Sequence, residues 1–271
     1  MKYVSTRGAS EGLRSAQAII QGLAGDKGLY VPAELPSIGS RLRNILFSAY
    51  NVGGAEQSPD ILTGMGLRTD GRTPPEREAS YASVAYQTLR LFFDDFTEEE
   101  LHRSVLGAYD DKFDHRKIAP LVSAGGVHFL ELYHGRTAAF KDMALSILPY
   151  LLLSAMRREN EDRKIVILTA TSGDTGKAAL EGFADVSGTE IFVFYPKGGV
   201  SGIQERQMVT QLGGNTHVFA VEGNFDDAQT AVKRIFGDES FAASLEAEGC
   251  RLSSANSINI GRLVPQIAYY L

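Results

Sequence analysis

An α/β fold with open, mostly parallel sheets and helices on both faces, preceded by a largely helical N-terminal domain, is what this sequence predicts. Two observations carry the prediction. From Lys117 onward, short apolar strands alternate with amphipathic helices across short Gly-rich loops, the rhythm of β-helix-β units. Before Lys117, apolar residues recur mainly at helical spacing, at Ala16, Ile19, Ile20 and Leu23 and again at Ala85, Leu89 and Phe92. Each β-helix-β unit is expected to cross over right-handed.

In chain order, Tyr3 to Thr6 is β-prone and Ser15 to Leu23 is helical, ended by Gly22 and Gly25-Asp26. Gly28 to Pro32 is a short extended piece, and Ile38 to Tyr50 reads as another helix. Asn51 to Pro75 is full of turn and breaker residues and reads as a mobile insertion. Ala82 to Phe93 is a helix, and Thr97-Glu98-Glu99-Glu100 opens the next with a capping box, its stripe being Leu101, Val105 and Tyr109.

The alternating part then predicts a strand at Val127 to Leu132 and a helix over Phe140 to Arg158, kinked by Pro149. Strands follow at Lys164 to Ala170, Glu190 to Tyr195 and His217 to Val221, with helices at Thr175 to Ala184, Gly202 to Leu212 and Phe225 to Phe236. A further strand ends near Ser253, and Ile258 to Leu271 is an apolar helical pattern that stops without a cap, which reads as truncation.

Bulk properties exclude several functions. The chain has 271 residues, 44% hydrophobic and 22% charged, as an ordinary globular protein does. A net charge of -6 argues against nucleic acid as the main partner, since phosphate backbones require clustered Lys and Arg. The single cysteine, Cys250, excludes an internal disulfide framework and a multi-thiolate zinc site, and the scattered histidines offer no metal-ligand pair. Met1 to Gly12 lacks the apolar core of a secretory signal, and Met143 to Met156 is too short to span a bilayer. The expected setting is soluble, reducing and cytoplasmic.

Two stretches carry chemistry. In H-G-R-T-A-A-F-K-D, His134 to Asp142, Lys141 sits where a Gly/Thr turn meets an apolar helix. An amine rooted there loses hydration, which lowers its pKa as a Schiff-base lysine requires; a solvated surface lysine is the bland alternative. In T-A-T-S-G-D-T-G-K, Thr169 to Lys177, a strand end runs through Thr171, Ser172, Gly173, Asp174 and Thr175 into a helix. Backbone N–H groups and the helix dipole favour an anion such as a carboxylate there. The bland alternative is a turn with Asp174 or Thr175 as N-cap. The spacing is neither that of a P-loop nor G-x-G-x-x-G. Ser253 to Asn259, rich in hydroxyls and amides, could hold a polar substrate or simply cap the last helix.

With those two stretches, Q-L-G-G-N (Gln211 to Asn215), V-E-G-N-F-D-D-A (Val221 to Ala228) and S-A-N-S-I-N-I-G-R (Ser254 to Arg262) occur in order, after Y-V-S-T-R (Tyr3 to Arg7) and G-L-Y-V-P (Gly28 to Pro32). Together they resemble threonine synthase, a pyridoxal 5'-phosphate enzyme of the tryptophan-synthase-β fold type, fold type II. The likeness covers nearly all of the chain except about Gly39 to Pro75.

The resemblance implies a cytoplasmic lyase of threonine biosynthesis, acting on carbon–oxygen bonds of phosphates. It would convert O-phospho-L-homoserine and water to L-threonine and phosphate by γ-elimination and β-addition. It implies Lys141 as the Schiff-base lysine, and Phe140, Ser172, Gly173, Asp174 and Thr175 around the cofactor, with Asp174 where related enzymes often have asparagine. Thr171, Ser172, Asn256, Ser257 and Arg262 would face the substrate; no metal is implied. The only partner implied is the small-molecule substrate, with no nucleic acid and no membrane; a homodimer is left open. The implied division is an N-terminal domain at 1–115 with an insertion at about 39–75, a small α/β domain at 144–256, and a partial large cofactor domain at 116–143 and 257–271. The family's Gly-rich phosphate loop does not occur before Leu271, so the chain reads as an N-terminal portion. Other readings are a dehydratase or phospho-lyase of the same fold type, and a catalytically silent binding protein that keeps the fold.

Overall fold

The computed structural model describes residues 1–8, 12–37 and 80–271. The expected helix at Ile38 to Tyr50 and the irregular stretch to Pro75 lie outside the described residues.

The N-terminal part begins with β1 (Tyr3–Ser5), paired antiparallel with β2 (Tyr30–Pro32), and α1 (Ser15–Gln21) lies between them in sequence. Next come α2 (Tyr81–Phe92) and α3 (Glu98–Ala108). The capping box of α3 forms as the sequence predicts: the Glu100 amide donates to Thr97 Oγ1 at 3.2 Å and the Thr97 amide donates to Glu100 Oε2 at 2.8 Å. Arg158 also donates to Glu100 at 2.8 Å, so the cap doubles as an anchor for a later helix.

Val127 does start a strand, but not one of the parallel sheet. β4 (Val127–Leu130) pairs antiparallel with β3 (Leu121–Ala124) as a separate hairpin. Gly125 and Gly126, both at positive φ, make its turn. Leu121, Val127 and Phe129 stand exposed on it. The helix expected over Phe140 to Arg158 is also interrupted, giving α4 (Asp142–Leu145) and α5 (Leu148–Glu159). Pro149 occupies the first turn of α5, where its missing N–H costs no hydrogen bond, so it starts a helix rather than kinking one.

The remaining elements are β5 (Lys164–Ala170), α6 (Asp174–Phe183), β6 (Thr189–Pro196), α7 (Gly202–Val209), β7 (Thr216–Val221), α8 (Phe225–Phe236), α9 (Glu239–Ala247), β8 (Cys250–Ser253) and α10 (Ile260–Leu263). A 3₁₀ segment, Val264–Tyr270, follows α10, so the C-terminal apolar run is not one uniform α-helix. The sequence reading missed α9, which buries no residue and therefore shows no apolar stripe.

The strands β7-β6-β5-β8 form a four-stranded parallel sheet in that order. Along β5, Ile165 and Ile167 face the main core with Ala178, Leu180 and Phe183 of α6. Val166, Leu168 and Ala170 face the other way and pack on Ala228 and Val232 of α8. Period-two alternation of wholly apolar residues is what a strand covered on both faces requires.

The main core continues without a break into the N-terminal part: Ile19 and Ile20 of α1 are buried in the same cluster as Leu148, Leu151 and Leu152 of α5. Asn259 reinforces this joint by donating from Nδ2 to Ile19 O at 2.9 Å and Ser254 O at 3.0 Å.

Candidate active site

The sheet order itself locates a site. The chain runs from β5 outward to β6 and β7, then returns to the opposite side of β5 as β8. Strand order reverses between β5 and β8, and loops leaving the carboxyl ends of strands at such a point open a crevice. Parallel pairing of Ile167 with Ser253 brings the loop after β5 beside the loop after β8. Asn256 closes that junction, its Nδ2 donating to Ala170 O at 2.9 Å.

The loop after β5 is built around Thr171 and Gly173. Thr171 is buried, and its Oγ1 accepts from the amides of Gly173 at 2.9 Å and Gly176 at 2.8 Å. Its hydroxyl oxygen therefore shapes the turn from inside. Gly173 has φ +133 and caps α6, so neither Asp174 nor Thr175 is the N-cap. A Cβ at Gly173 would lie 2.4 Å from the Gln204 side chain, so glycine is needed for both reasons. Ser172 is exposed on the turn.

Asp174, freed from capping, is held from two sides. Gln204 Nε2 of α7 donates to its Oδ1 at 2.8 Å, and Lys177 Nζ lies 3.3 Å from the same oxygen. Burial alone would raise the Asp174 carboxyl; the Gln204 hydrogen bond and the charges of Lys177 and Lys141 outweigh it and hold it below its ordinary value.

Lys141 precedes α4 and is partly buried, its Nζ 4.1 Å from the centroid of the Phe140 ring. Burial pushes the amine below the ordinary lysine value, Arg262 pushes it further, and Asp174 partly opposes them. Lysine, turn and Arg262 are thus within electrostatic reach of one another. The loop leading to Lys141 is tightly tied: Asp142, buried, accepts from the Thr137 amide at 2.9 Å and the Thr137 hydroxyl at 2.6 Å. Ala138 within it sits at φ +53, a strained position for a residue with a Cβ.

Arg262, first residue of none of the helices but inside α10, is the most unusual group. It is 1% exposed, donating from Nη1 to Ala255 O at 2.9 Å and from Nη2 to Thr175 Oγ1 at 3.4 Å. Its buried Nε has no partner, and among the described residues no carboxylate pairs with it. Burial lowers its pKa to about 10. A buried guanidinium with a spare donor is suited to an oxyanion. Ser257, by contrast, is exposed in a loop whose other residues are buried or partly buried.

Sequence reasoning missed Gln204 and Lys177 as site residues. Gln204 was readable only as the third residue of a capping box after Ser201, which it also forms, its Oε1 accepting from the Ser201 amide at 3.0 Å. A cleft of about 520 Å³ lined by Arg136, Asp142, Tyr150, Glu181 and Gln211 lies elsewhere, for neither Lys141 nor Arg262 lines it.

At the base of the lysine loop, His134 is gripped between Asp114 (2.6 Å from Nδ1) and Glu131 (2.8 Å from Nε2), with the His115 ring 5.0 Å away. Burial opposes protonation, but the two carboxylates outweigh it and raise the imidazole above its ordinary value. A raised folded-state pKa means that this stabilisation is complete below about pH 6.5 and is lost as pH rises through the folded value. Urea midpoints of the wild type should therefore fall between pH 6 and pH 9, and the fall should shrink in His134→Gln. An equal fall in both would remove His134 as its source.

Comparison with known proteins agrees with this architecture. Residues 2–51 match the family described as Threonine synthase N terminus. The chain is 37% identical over its whole length to threonine synthase of Pseudomonas aeruginosa, covering 50% of that protein, and 34% identical to that of Schizosaccharomyces pombe, covering 48%. A crystal structure of threonine synthase from Brucella melitensis with PLP bound superposes with a TM-score of 0.73 at 36% identity, over 100% of this chain and 50% of that one. Over its whole length, then, this chain is similar to threonine synthases, and it spans about half the length of the curated relatives it matches.

Proposed function

We propose that this chain carries the lysine-bearing part of a threonine synthase site, in which O-phospho-L-homoserine and water become L-threonine and phosphate. The observation that carries the reading is the convergence on one crevice of a desolvated amine, Lys141, and a buried guanidinium with an unused donor, Arg262. These residues fit pyridoxal 5'-phosphate and an anionic substrate: the amine suits an aldehyde, and the spare Nε suits an oxyanion.

When bound, pyridoxal phosphate would supply the electron sink that stabilises carbanions next to the amino group. The chain's own part is to hold and move protons. Lys141, with its pKa lowered by burial, would have a larger neutral fraction near neutrality, able first to bind the aldehyde and then to shuttle protons at substrate carbons. Phe140 would support the lysine stem, while Ser172, Gly173, Asp174 and Thr175 would border the cofactor ring. The exposed hydroxyl of Ser172 and the N–H groups at the start of α6 would orient the substrate carboxylate. Asn256, Ser257 and Arg262 would take its phosphate side.

In this reading the segments 116–143 and 257–271 belong with a larger cofactor domain, 144–256 forms the small α/β domain, and 1–115 the leading one. The cell compartment proposed is the cytoplasm; among the described residues no helix is long and apolar enough to cross a membrane.

Borohydride reduction in the presence of pyridoxal phosphate should label the peptide containing Lys141, and Lys141→Ala should abolish the label. Absence of label on that peptide in the wild type would sink the assignment. Release of threonine together with phosphate from O-phospho-L-homoserine, rather than a keto acid, separates this activity from a dehydratase.

A further inference from the structure

Lys177 has no role in the reading above, yet it is a lysine buried to 7% exposure on the core side of α6. An ammonium in such a place needs partners that replace its hydration. It has two, on different elements. Nζ donates to the carbonyl of Thr137 at 2.9 Å, in the loop that leads to Lys141, and lies 3.3 Å from Asp174 Oδ1, in the first turn of its own helix. Through Thr137 the contact extends to the buried Asp142, and through Asp174 to Gln204 of α7. One chain of polar contacts therefore runs from the residue after Lys141 to the turn after β5, and Lys177 is the link in its middle.

We propose that Lys177 is a positioning residue: it straps the Lys141 loop to the start of α6 and offsets the charge of Asp174, so that Asp174 favours the Lys141 ammonium less than it would alone. The inference rests on the reading of Lys141 as the reactive amine. Among the described residues, the groups that face Lys141 are the Phe140 ring, Asp174 from α6 and Arg262 from α10. Asp174 is the acid among them, and the groups that face Asp174 are Gln204, Lys177 and Lys141 itself. Gln204 orients the carboxylate without cancelling its charge. Lys177 offsets it from 3.3 Å. Without Lys177, the full negative charge of Asp174 acts on Lys141 and favours its protonated, unreactive form.

The strap has a second consequence. Ala138, at φ +53, follows directly on the residue whose carbonyl Lys177 holds. A strained residue persists only where its surroundings over-determine it, and the Lys177 and Asp142 contacts on Thr137 are such surroundings.

The test is the pH dependence of Lys141 methylation by formaldehyde and cyanoborohydride, followed by mass spectrometry of its peptide, with neither cofactor nor substrate present. Lys177→Gln should move the midpoint for Lys141 upward, reducing its labelling at pH 8 about threefold to tenfold, since one pKa unit is about tenfold in the neutral fraction. Lys177→Arg, which keeps charge and donor, should leave the midpoint near that of the wild type. Should Lys177→Gln fail to fold, two other variants decide. Asp174→Asn should lower the Lys141 midpoint, because Lys177 then faces it unneutralised, and Asp174→Asn combined with Lys177→Gln should bring it back up. An unchanged midpoint in folded Lys177→Gln, or equal midpoints in the last two variants, would overturn the proposal. Failure of pyridoxal phosphate to label Lys141 would sink the functional reading and leave this measurement intact.

Discussion

Arg262→Met should bind oxyanions at least tenfold more weakly than the wild type while unfolding at the same temperature or higher. The two effects separate because of how Arg262 is buried. Its guanidinium is 1% exposed, has one short hydrogen bond to Ala255 O, and leaves Nε without a partner among the described residues. Removing a buried charge that has no opposite charge beside it relieves a desolvation cost, and a hydrophobic residue of similar length is often neutral or stabilising there. Binding should respond in the opposite direction. A hydrogen bond to a charged group contributes about 1.5–3 kcal/mol, so its loss weakens binding about tenfold to a hundredfold. Calorimetric titration with O-phospho-L-homoserine and with inorganic phosphate, beside thermal melts, measures both. A variant that melts lower but still binds would make Arg262 a structural residue and remove it from the site. Lys141 gives an independent reading: losing the Arg262 charge should raise the pH at which its amine becomes reactive.

Gly182→Ala should destabilise the protein although it places a better helix former inside α6. Helix propensity alone favours alanine over glycine by about 1 kcal/mol. Here a Cβ would lie 2.3 Å from the carbonyl oxygen of Leu145 in α4, a backbone atom that cannot rotate away. Forcing an atom into a packed interior costs about 1–3 kcal/mol, occasionally more, so the clash should win. A melting point lower by several degrees is expected, by about 2–4 °C per kcal/mol in a chain of this size. Because Leu145 lies one helical turn beyond Lys141, labelling of Lys141 by pyridoxal phosphate should fall as well. A higher melting point, as propensity alone requires, would show that α4 and α6 can move apart freely.

Much of the fold was legible because local physics and tertiary need coincide in the α/β part. β5 and α8 start and end at the residues that their apolar patterns predict, Lys164 to Ala170 and Phe225 to Phe236, since each buries a complete face against a neighbour. Elements without such a face were misread. The β3–β4 hairpin reads like a sheet strand because strand propensity does not say which partner a strand will have. α9 buries nothing and leaves no pattern to read. Pro149 is compatible with a kink or a start, and only the break at Ser146 and Ile147 shows which was used.

Lys141 and the turn from Thr171 to Thr175 stood out in the sequence because their chemistry is concentrated within a few consecutive residues. That sequence also determined the alternation that builds a parallel sheet, and hence that loops would gather at its carboxyl edge. What only the tertiary structure decided is which loops and which charges meet there. The reversal of strand order between β5 and β8 sets Arg262 across from a turn 87 residues earlier. The packing of α6 turns Lys177 inward to the Thr137 carbonyl, 40 residues away. The resemblance already put Arg262 on the substrate side, but nothing in the sequence marked Lys177, because solvation is the default for an isolated charge. Burial between elements distant in the chain removes that water, and no local pattern records it.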